Sequence, residues 1–208
     1  MPILLERIIA ELLRPYLVSA GAFSPDLYSY LSIYLDLLIK WNARTNLTAV
    51  RDPEEIVRRH FGESLFAAQH LGSCATLLDF GSGAGFPGLP IALFRPEVAV
   101  TLAESQNKKA TFLREVVRSL GIKTEVWPFR VEAMPGGRTF HTVTLRAVDN
   151  MGDAIAAACP YASHQLLILA SLSHPFVFPP GFQLQEKISI PGSTNTLLLR
   201  VIRSNELP

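Results

Sequence analysis

The sequence predicts a mostly parallel, doubly wound α/β sheet with an N-terminal helical extension and a C-terminal antiparallel hairpin. From residue 75 onward, short apolar runs alternate with helical stretches, as in a parallel sheet covered on both faces. A glycine-rich loop follows the first of these runs, and two late apolar runs flank Pro191-Gly192-Ser193. We therefore expect a helical extension at residues 1–72 and an α/β domain at 73–208.

Residues 1–72 carry three helical patterns. Apolar residues recur at helical spacing from Leu4 to Leu13 and predict the first helix. Ser24-Pro25-Asp26 supplies an N-cap and a proline for a second helix, whose apolar face runs from Tyr30 to Leu38. Asp52-Pro53-Glu54-Glu55 repeats that start signal and predicts a third helix through Leu71.

The α/β part reads as five strands with helices between them, followed by the hairpin. The predicted strands are Thr76–Phe80, Val98–Ala103, Thr124–Trp127, Thr142–Leu145 and Leu166–Leu169, and the hairpin strands are Leu184–Ile190 and Thr196–Ile202. Helices are predicted at Leu89–Phe94, Asn107–Leu120 and Asn150–Tyr161.

The length of the chain is that of one folded domain, or of one domain with an appendage. The 208 residues are 49% apolar and 18% charged, which excludes a disordered chain. Nineteen Lys and Arg against eighteen Asp and Glu give a net charge of +1, which excludes a polybasic protein but not local basic patches.

Several protein classes are disfavoured by what the sequence lacks. The two cysteines and five histidines lack the spacing of a metal site, so we expect no metal. We find no signal-peptide cleavage site and no apolar run long enough for a membrane span. Nothing indicates a coiled coil. We therefore expect a cytoplasmic protein without membrane contact, and a monomer.

The loop from Asp79 to Gly88 carries the chemistry. Its glycines let the backbone turn tightly and approach a ligand closely. Glu104 follows Asp79 by 25 residues, at the end of the next predicted strand. In a doubly wound sheet that carboxylate lies beside the first loop, where it can accept hydrogen bonds from a ribose diol. The predicted cofactor-binding residues of this region are Asp79, Gly81, Gly83, Gly85, Phe86 and Glu104.

Three interpretations of this loop compete. Gly83 to Gly88 matches the dinucleotide pattern GxGxxG, but Gly81 occupies the strand-end position that the first glycine of that motif should take. The carboxylate of Asp79 would repel a pyrophosphate, whereas S-adenosylmethionine carries an amine, a sulfonium and a ribose but no phosphate. We therefore favour S-adenosylmethionine over a dinucleotide, and keep a purely structural glycine turn as the third interpretation.

A family resemblance agrees with this interpretation. Lys40-Trp41-Asn42, Asn46-Leu47-Thr48, Arg59-His60 and Gly88-Leu89-Pro90 stand in the order seen in the ribosomal RNA small subunit methyltransferase G family, also called glucose-inhibited division protein B. Glu104-Ser105, Lys108-Lys109, Arg130-Val131-Glu132 and Arg146-Ala147 continue the match, which covers about residues 25 to 170. The chain thus resembles a family of Rossmann-like class I methyltransferases. Its members transfer a methyl group from S-adenosylmethionine to N7 of one guanine in small-subunit (16S) ribosomal RNA.

The resemblance also implies roles for individual residues. Gly81 and Phe86 would line the cofactor, and Glu104 would meet its ribose. Val131 and Glu132 would flank the adenine, and Arg146 would lie beside the cofactor and the incoming base. These positions fall at carboxyl ends of predicted strands, where open α/β sheets bind ligands.

Methylation at N7 of guanine needs positioning more than acid–base chemistry. The N7 lone pair lies in the ring plane and requires no deprotonation, so in-line transfer can rest on orientation. We therefore assign no catalytic residue. Arg146 is a positioning candidate, because an arginine directly after an apolar strand is hard to explain as surface.

RNA contact should depend on local charge. Residues 40–60 carry five cations against three acids, and residues 105–130 carry six against two. The predicted RNA-binding residues are Lys40, Asn46, Arg51, Arg59, His60, Lys108 and Lys109. The expected partner is small-subunit ribosomal RNA or the ribosomal subunit.

Three segments depart from the family pattern. Glu63-Ser64 stands where the family usually has Asp-Ser, and Ala170-Ser171 where relatives often carry Lys-Gly. Ser193 to Thr196 lacks the expected late arginine. These departures leave open a cofactor- or RNA-binding module with impaired catalysis. The literal GxGxxG at Gly83 to Gly88 leaves open an NAD(P)-dependent oxidoreductase.

Overall fold

The computed structural model describes residues 2–17, 24–147, 150–171 and 176–204. Their helices are α1 (Glu6–Leu13), α2 (Leu27–Thr45), α3 (Pro53–Glu55), α4 (Glu63–Gln69), α5 (Gly88–Phe94), α6 (Asn107–Leu120) and α7 (Met151–Ala158). Their strands are β1 (Thr76–Phe80), β2 (Ala99–Ala103), β3 (Glu125–Trp127), β4 (Phe140–Arg146), β5 (Ala162–Ser171), β6 (Phe182–Ser189) and β7 (Thr196–Arg203). No helix among these residues is both long and apolar enough to cross a membrane.

The seven strands form one sheet in the order β3-β2-β1-β4-β5-β7-β6. The first five are parallel to one another, whereas β7 lies antiparallel between β5 and β6. The order reverses at β1, between β2 and β4. A ligand in an open α/β sheet binds beyond the carboxyl ends of the strands at this switch point. The predicted doubly wound sheet and its C-terminal hairpin are both confirmed.

Both faces of the sheet are covered, because successive strand residues point to opposite sides. Leu77 belongs to a large core shared with α1, α2, α4, α5 and α6, and Leu78 belongs to a second core beneath α7. The same alternation places Leu167 in the first core and Ile168 in the second. The central strands therefore bury apolar side chains on both of their faces, as a two-sided parallel sheet requires.

The predicted bounds hold best where sequence signals mark both ends. Strand β1 and helix α6 coincide with their predicted ranges, and Gly121 ends α6 in the left-handed conformation typical of a helix C-terminus. Strands β4 and β5 are longer than predicted. Hydrogen-bonded pairing with their neighbours extends both strands beyond the apolar runs that defined the prediction.

The predicted third helix is present, but its interior is not α-helical. Asp52 caps its start, since Oδ1 accepts a hydrogen bond from the Glu55 amide at 2.8 Å. Residues Ile56–Gly62 then form a π-helical segment between α3 and α4. Such segments are rare and frequently lie at functional sites. Apolar periodicity did not distinguish this segment from an ordinary helix.

The helical extension packs directly on the α/β part. Tyr34 of α2 lies beside Phe86 of the glycine loop and Phe112 of α6, at ring-centroid distances of 5.4 and 6.3 Å. The amide of Gln165 in β5 donates to the Leu71 carbonyl at 2.8 Å. The two parts thus share one core, and the division after residue 72 stays a prediction from sequence.

Candidate functional site

The glycine loop joins β1 to α5 at the carboxyl edge of the sheet. Gly81, Gly83 and Gly85 all have positive φ angles, of 71°, 56° and 98°, which other residues rarely adopt. At Gly85, a Cβ would also collide with Leu89 and would lie 2.7 Å from the Tyr34 hydroxyl. That hydroxyl donates to the Ala84 carbonyl at 2.5 Å. The loop is therefore shaped by its glycines and anchored from below by α2.

Asp79, at the end of β1, organises this loop. Its Oδ2 accepts a hydrogen bond from the Gly88 amide at the start of α5 (3.1 Å), and its Oδ1 accepts from the Thr144 hydroxyl of β4 (2.8 Å). The side chain is buried, and burial raises its pKa to about 6. Both oxygens are thus engaged within the protein, and direct contact of Asp79 with a cofactor amine stays a prediction.

Glu104, after β2, is brought against the glycine loop as expected. Its Oε2 accepts from the Gly83 amide at 2.9 Å and its Oε1 from the Gln106 amide at 2.7 Å. These two bonds fix the orientation of the carboxylate. A carboxylate has about four lone-pair sites, so capacity remains for hydroxyl donors.

The predicted adenine-flanking residues follow β3, next to the end of β2. The Glu104 amide donates to the Trp127 carbonyl at 3.0 Å, which ties the two strand ends together. Val131 and Glu132 lie in a short 3-10 helix, with Val131 buried and Glu132 exposed. Gly81, Gly83, Glu104 and Val131 thus lie along adjoining strand ends, as the sequence predicted.

Arg146, at the end of β4, forms a buried ion pair. One guanidinium nitrogen, Nη2, donates to Glu63 Oε2 at 2.7 Å and to the Arg59 carbonyl at 3.0 Å. The side chains of Arg146 and Glu63 are only 10% and 5% exposed. The guanidinium also lies 5.7 Å from the ring centre of Phe86, in the glycine loop. Arg146 therefore links β4, the π segment with α4, and the glycine loop.

His60, in the π segment, contacts the same loop. Its ring lies 4.8 Å from that of Phe86, and its Nε2 is 2.8 Å from the Thr48 hydroxyl. Burial and the cations of Arg146 and Arg59 lower the pKa of His60 to about 3, so the ring is neutral. Its Nδ1 is buried and has no hydrogen-bond partner among the described residues.

A cavity of about 770 Å³ opens beside the ion pair, a size typical of ligand sites. Arg59, Glu63 and Arg146 form its charged wall. The other side chains at its wall come mainly from the start of α7, the end of β5 and the segment that follows it: Met151, Leu169, Ala170, Phe176 and Val177. Ala170 and Ser171 line it at the position where lysine and glycine were expected from the family pattern.

The predicted RNA-binding residues fall into three places. In the loop after α2, Arg51 Nη2 donates a hydrogen bond to Asn46 Oδ1 at 2.7 Å. Lys40 is exposed and lies about one turn before the end of α2. Lys108 and Lys109 are in the first turn of α6. Arg59 and His60 lie instead beside the cavity and the glycine loop. The RNA contacts of all seven residues stay predictions.

Sequence reasoning missed the role of Glu63. From the sequence, Glu63 was noted only as a departure from the family pattern. In the structure, Glu63 is the ion-pair partner of Arg146. The two are 83 residues apart, so spacing could not pair them. The available signal was Arg146 itself, because a buried arginine requires a buried carboxylate.

Solved structures share this fold. The crystal structure of MtNAS in complex with MTA and tNA matches with a TM-score of 0.59 at 15% identity, covering 96% of this chain and 85% of that one. The ribosomal protein L11 methylase of Lactobacillus delbrueckii subsp. bulgaricus matches with a TM-score of 0.53 at 14% identity, covering 69% of this chain and 80% of that one. The predicted Rossmann-like methyltransferase fold is thus confirmed.

Sequence comparison identifies the family. The ribosomal RNA small subunit methyltransferase G of Clostridium perfringens (strain 13 / Type A) is 43% identical over 147 residues, or 67% of this chain. The match spans only 61% of the length of that relative. The methyltransferase G of Xylella fastidiosa (strain M23) is 38% identical over 82% of this chain and 84% of its own length. The model of the rRNA small subunit methyltransferase G family matches residues 27–171. The chain therefore belongs to the rRNA small subunit methyltransferase G family.

Proposed function

We propose that this protein is an S-adenosylmethionine-dependent methyltransferase that acts on N7 of a guanine in small-subunit ribosomal RNA. The observation that carries the proposal is the bond between the Glu104 carboxylate and the Gly83 amide, made inside a glycine loop at the switch point of the sheet. Family membership supplies the RNA and the position of methylation. The proposal includes a cytoplasmic location and a monomeric state.

The residues present fit S-adenosylmethionine. The backbone at Gly81 and Gly83 is turned into the conformation that gives a ligand close approach, and no neighbouring side chain would obstruct a Cβ at Gly83. The Glu104 carboxylate can accept further hydrogen bonds from a ribose diol. The buried Nδ1 of His60, which has no hydrogen-bond partner in the described part of the chain, is one more polar atom near the loop and lies on a ring that packs beside Phe86. When bound, S-adenosylmethionine supplies an electrophilic methyl group on a sulfonium.

The chain's own residues position and shield the reacting atoms. Arg146 holds the base side of the site in place through its bonds to Glu63 and the Arg59 carbonyl. The apolar wall at Leu169 and Ala170 excludes water from one side of the cavity. Because N7 of guanine carries a free lone pair, a general base is not needed, and orientation supplies the rate enhancement.

The exposed cations at Lys40, Lys108 and Arg51 would contact phosphates of the RNA. Such contacts fix register and supply affinity that falls as salt concentration rises. The exact nucleotide would be selected by the shape of the RNA around it rather than by these cations.

Two measurements test the proposal. The first is calorimetric titration of S-adenosylmethionine and S-adenosylhomocysteine into the purified protein, where we expect saturable one-site binding. The second is incubation with small-subunit RNA from a strain that lacks this methylation, followed by chemical mapping of N7-methylguanosine. Binding without N7 methylation would favour the impaired binding module, and binding of NAD(P)H in place of S-adenosylmethionine would favour the oxidoreductase.

A further inference from the structure

We infer that Glu63, held by Arg146, recognises the Watson–Crick edge of the target guanine and so determines base specificity. This rests on the proposed function, because it assumes that a guanine is the substrate. The observation behind it is the Glu63–Arg146 ion pair in the wall of the large cavity.

The ion pair lies where a base would enter. Glu63 and Arg146 line a cavity of about 770 Å³, which has room for a nucleotide. Most of the wall beyond its charged side chains is apolar, with Met151, Leu169 and Ala170 available for contact with a ring. The Glu63 side chain is only 5% exposed, yet it lines this cavity. A ligand bound in the cavity could therefore contact its carboxylate.

The chemistry of the pair matches guanine. The Watson–Crick edge of guanine presents an acceptor, O6, beside two donors, N1–H and the N2 amino group. A guanidinium and a carboxylate held side by side offer the complementary donor and acceptors. Adenine presents a lone pair at N1 and has no N2 amino group, so the carboxylate would face an acceptor without a proton between them.

The order of groups also orients N7. Along the rim of guanine the atoms run from N2 through N1 and O6 to N7. The Glu63 carboxylate accepts a hydrogen bond from Arg146 Nη2 at 2.7 Å. The same guanidinium lies 5.7 Å from the ring centre of Phe86, in the glycine loop. If N2 and N1 of guanine contact Glu63 and O6 contacts Arg146, then N7 lies on the side of Arg146 that faces the glycine loop.

The carboxylate has acceptor capacity for this role. Among the described residues, Glu63 accepts a hydrogen bond through Oε2 alone, from Arg146. Its Oε1 is therefore left to accept from N1–H or from the N2 amino group. Arg146 holds the carboxylate through this bond and fixes its direction.

Inosine in place of guanine tests the inference, since inosine keeps O6, N1–H and N7 but lacks the N2 amino group. RNA is prepared with guanosine or inosine at the mapped nucleotide, and kcat/KM for N7 methylation is measured for each. We expect the wild type to prefer guanosine by about 10- to 100-fold, the discrimination of a bidentate contact. In Glu63→Gln the preference should fall below about 3-fold, because the amide replaces one acceptor by a donor.

Two further variants separate specificity from stability. Glu54→Gln removes the carboxylate of an exposed ion pair with Arg58, outside the cavity, and should keep the wild-type preference. If Glu63→Gln does not fold, Glu63→Asp is used instead, which keeps the charge but has a shorter side chain. Its preference for guanosine should fall between the wild-type value and the value expected for Glu63→Gln. An unchanged preference in the Glu63 variant that folds, or a wild type that does not discriminate, overturns the inference. A wild type that binds no S-adenosylmethionine, or leaves guanosine unmodified, overturns the proposed function itself.

Discussion

Replacing Tyr34 by phenylalanine isolates the bond that anchors the glycine loop. The hydroxyl of this fully buried residue donates to the Ala84 carbonyl at 2.5 Å. Phenylalanine keeps the ring and its packing against Phe61 and Phe86, at 5.1 and 5.4 Å between centroids. The substitution therefore removes one hydrogen bond and leaves the apolar contacts in place.

The magnitude follows from what is left behind. A buried neutral hydrogen bond contributes about 1 kcal/mol net, and a buried carbonyl without a partner costs about 1–3 kcal/mol. We expect the free energy of unfolding to fall by about 1–2 kcal/mol, with little change in the denaturant slope. The loosened loop must then be ordered by the ligand, which should weaken S-adenosylmethionine binding by about 3- to 10-fold.

Urea unfolding and calorimetric titration measure the two effects. Tyr30→Phe is the matched control, because Tyr30 lies on the same helix, is half-buried, and its hydroxyl makes no hydrogen bond with any described residue. The control should change the free energy of unfolding by less than about 0.5 kcal/mol. If Tyr34→Phe and Tyr30→Phe gave the same stability and the same affinity, the anchoring role of the hydroxyl would be refuted.

Three more predictions concern the same loop. Gly81→Asp should abolish S-adenosylmethionine binding in calorimetry, because it places a side chain and a charge where φ is 71°; unchanged affinity would remove Gly81 from the cofactor site. Gly88→Ala should lower the free energy of unfolding by about 1–3 kcal/mol, since the new Cβ would lie 2.7 Å from Asp79 Oδ2 and collide with Leu102; an unchanged urea midpoint would contradict the packing. Burial raises the pKa of Asp79 from 3.8 to about 6, so its contribution to stability is full below pH 3.8 and is lost as the pH rises to about 6. The free energy of unfolding of Asp79→Asn, relative to that of the wild type, should therefore rise with pH across that window and stay constant above it. A difference between the two that stays flat from pH 4 to 7 would argue against the raised pKa.

Much of the fold was predictable because local signals and apolar patterns agree. The cap at Asp52, the turn at Gly121 and the apolar run of β1 each mark an element in the sequence itself. The position of Glu104 was also predictable, since the topology of a doubly wound sheet brings the second strand end beside the first loop.

The remainder depends on contacts that the sequence does not encode locally. Asp79 was expected to face the cofactor, and its bonds to Thr144 and Gly88 depend on the packing of β4 and α5 against β1. The ion pair of Glu63 and Arg146 joins residues 83 positions apart. Apolar periodicity also gives no sign of the π segment, because its large buried residues, Ile56, Val57 and Phe61, have a spacing that an ordinary α-helix also shows.

The placement of β7 has a consequence for protein production. Strand β5 is apolar along most of its length, and its pairing with β7 runs from Gln165↔Ile202 to Ser171↔Thr196. Until the last strand is in place, that edge presents unpaired backbone groups flanked by Leu166 to Leu169, a template for pairing with another chain. Chains cut short before residue 196, or slow to close the hairpin, would therefore be prone to aggregate although the rest of the sheet can assemble.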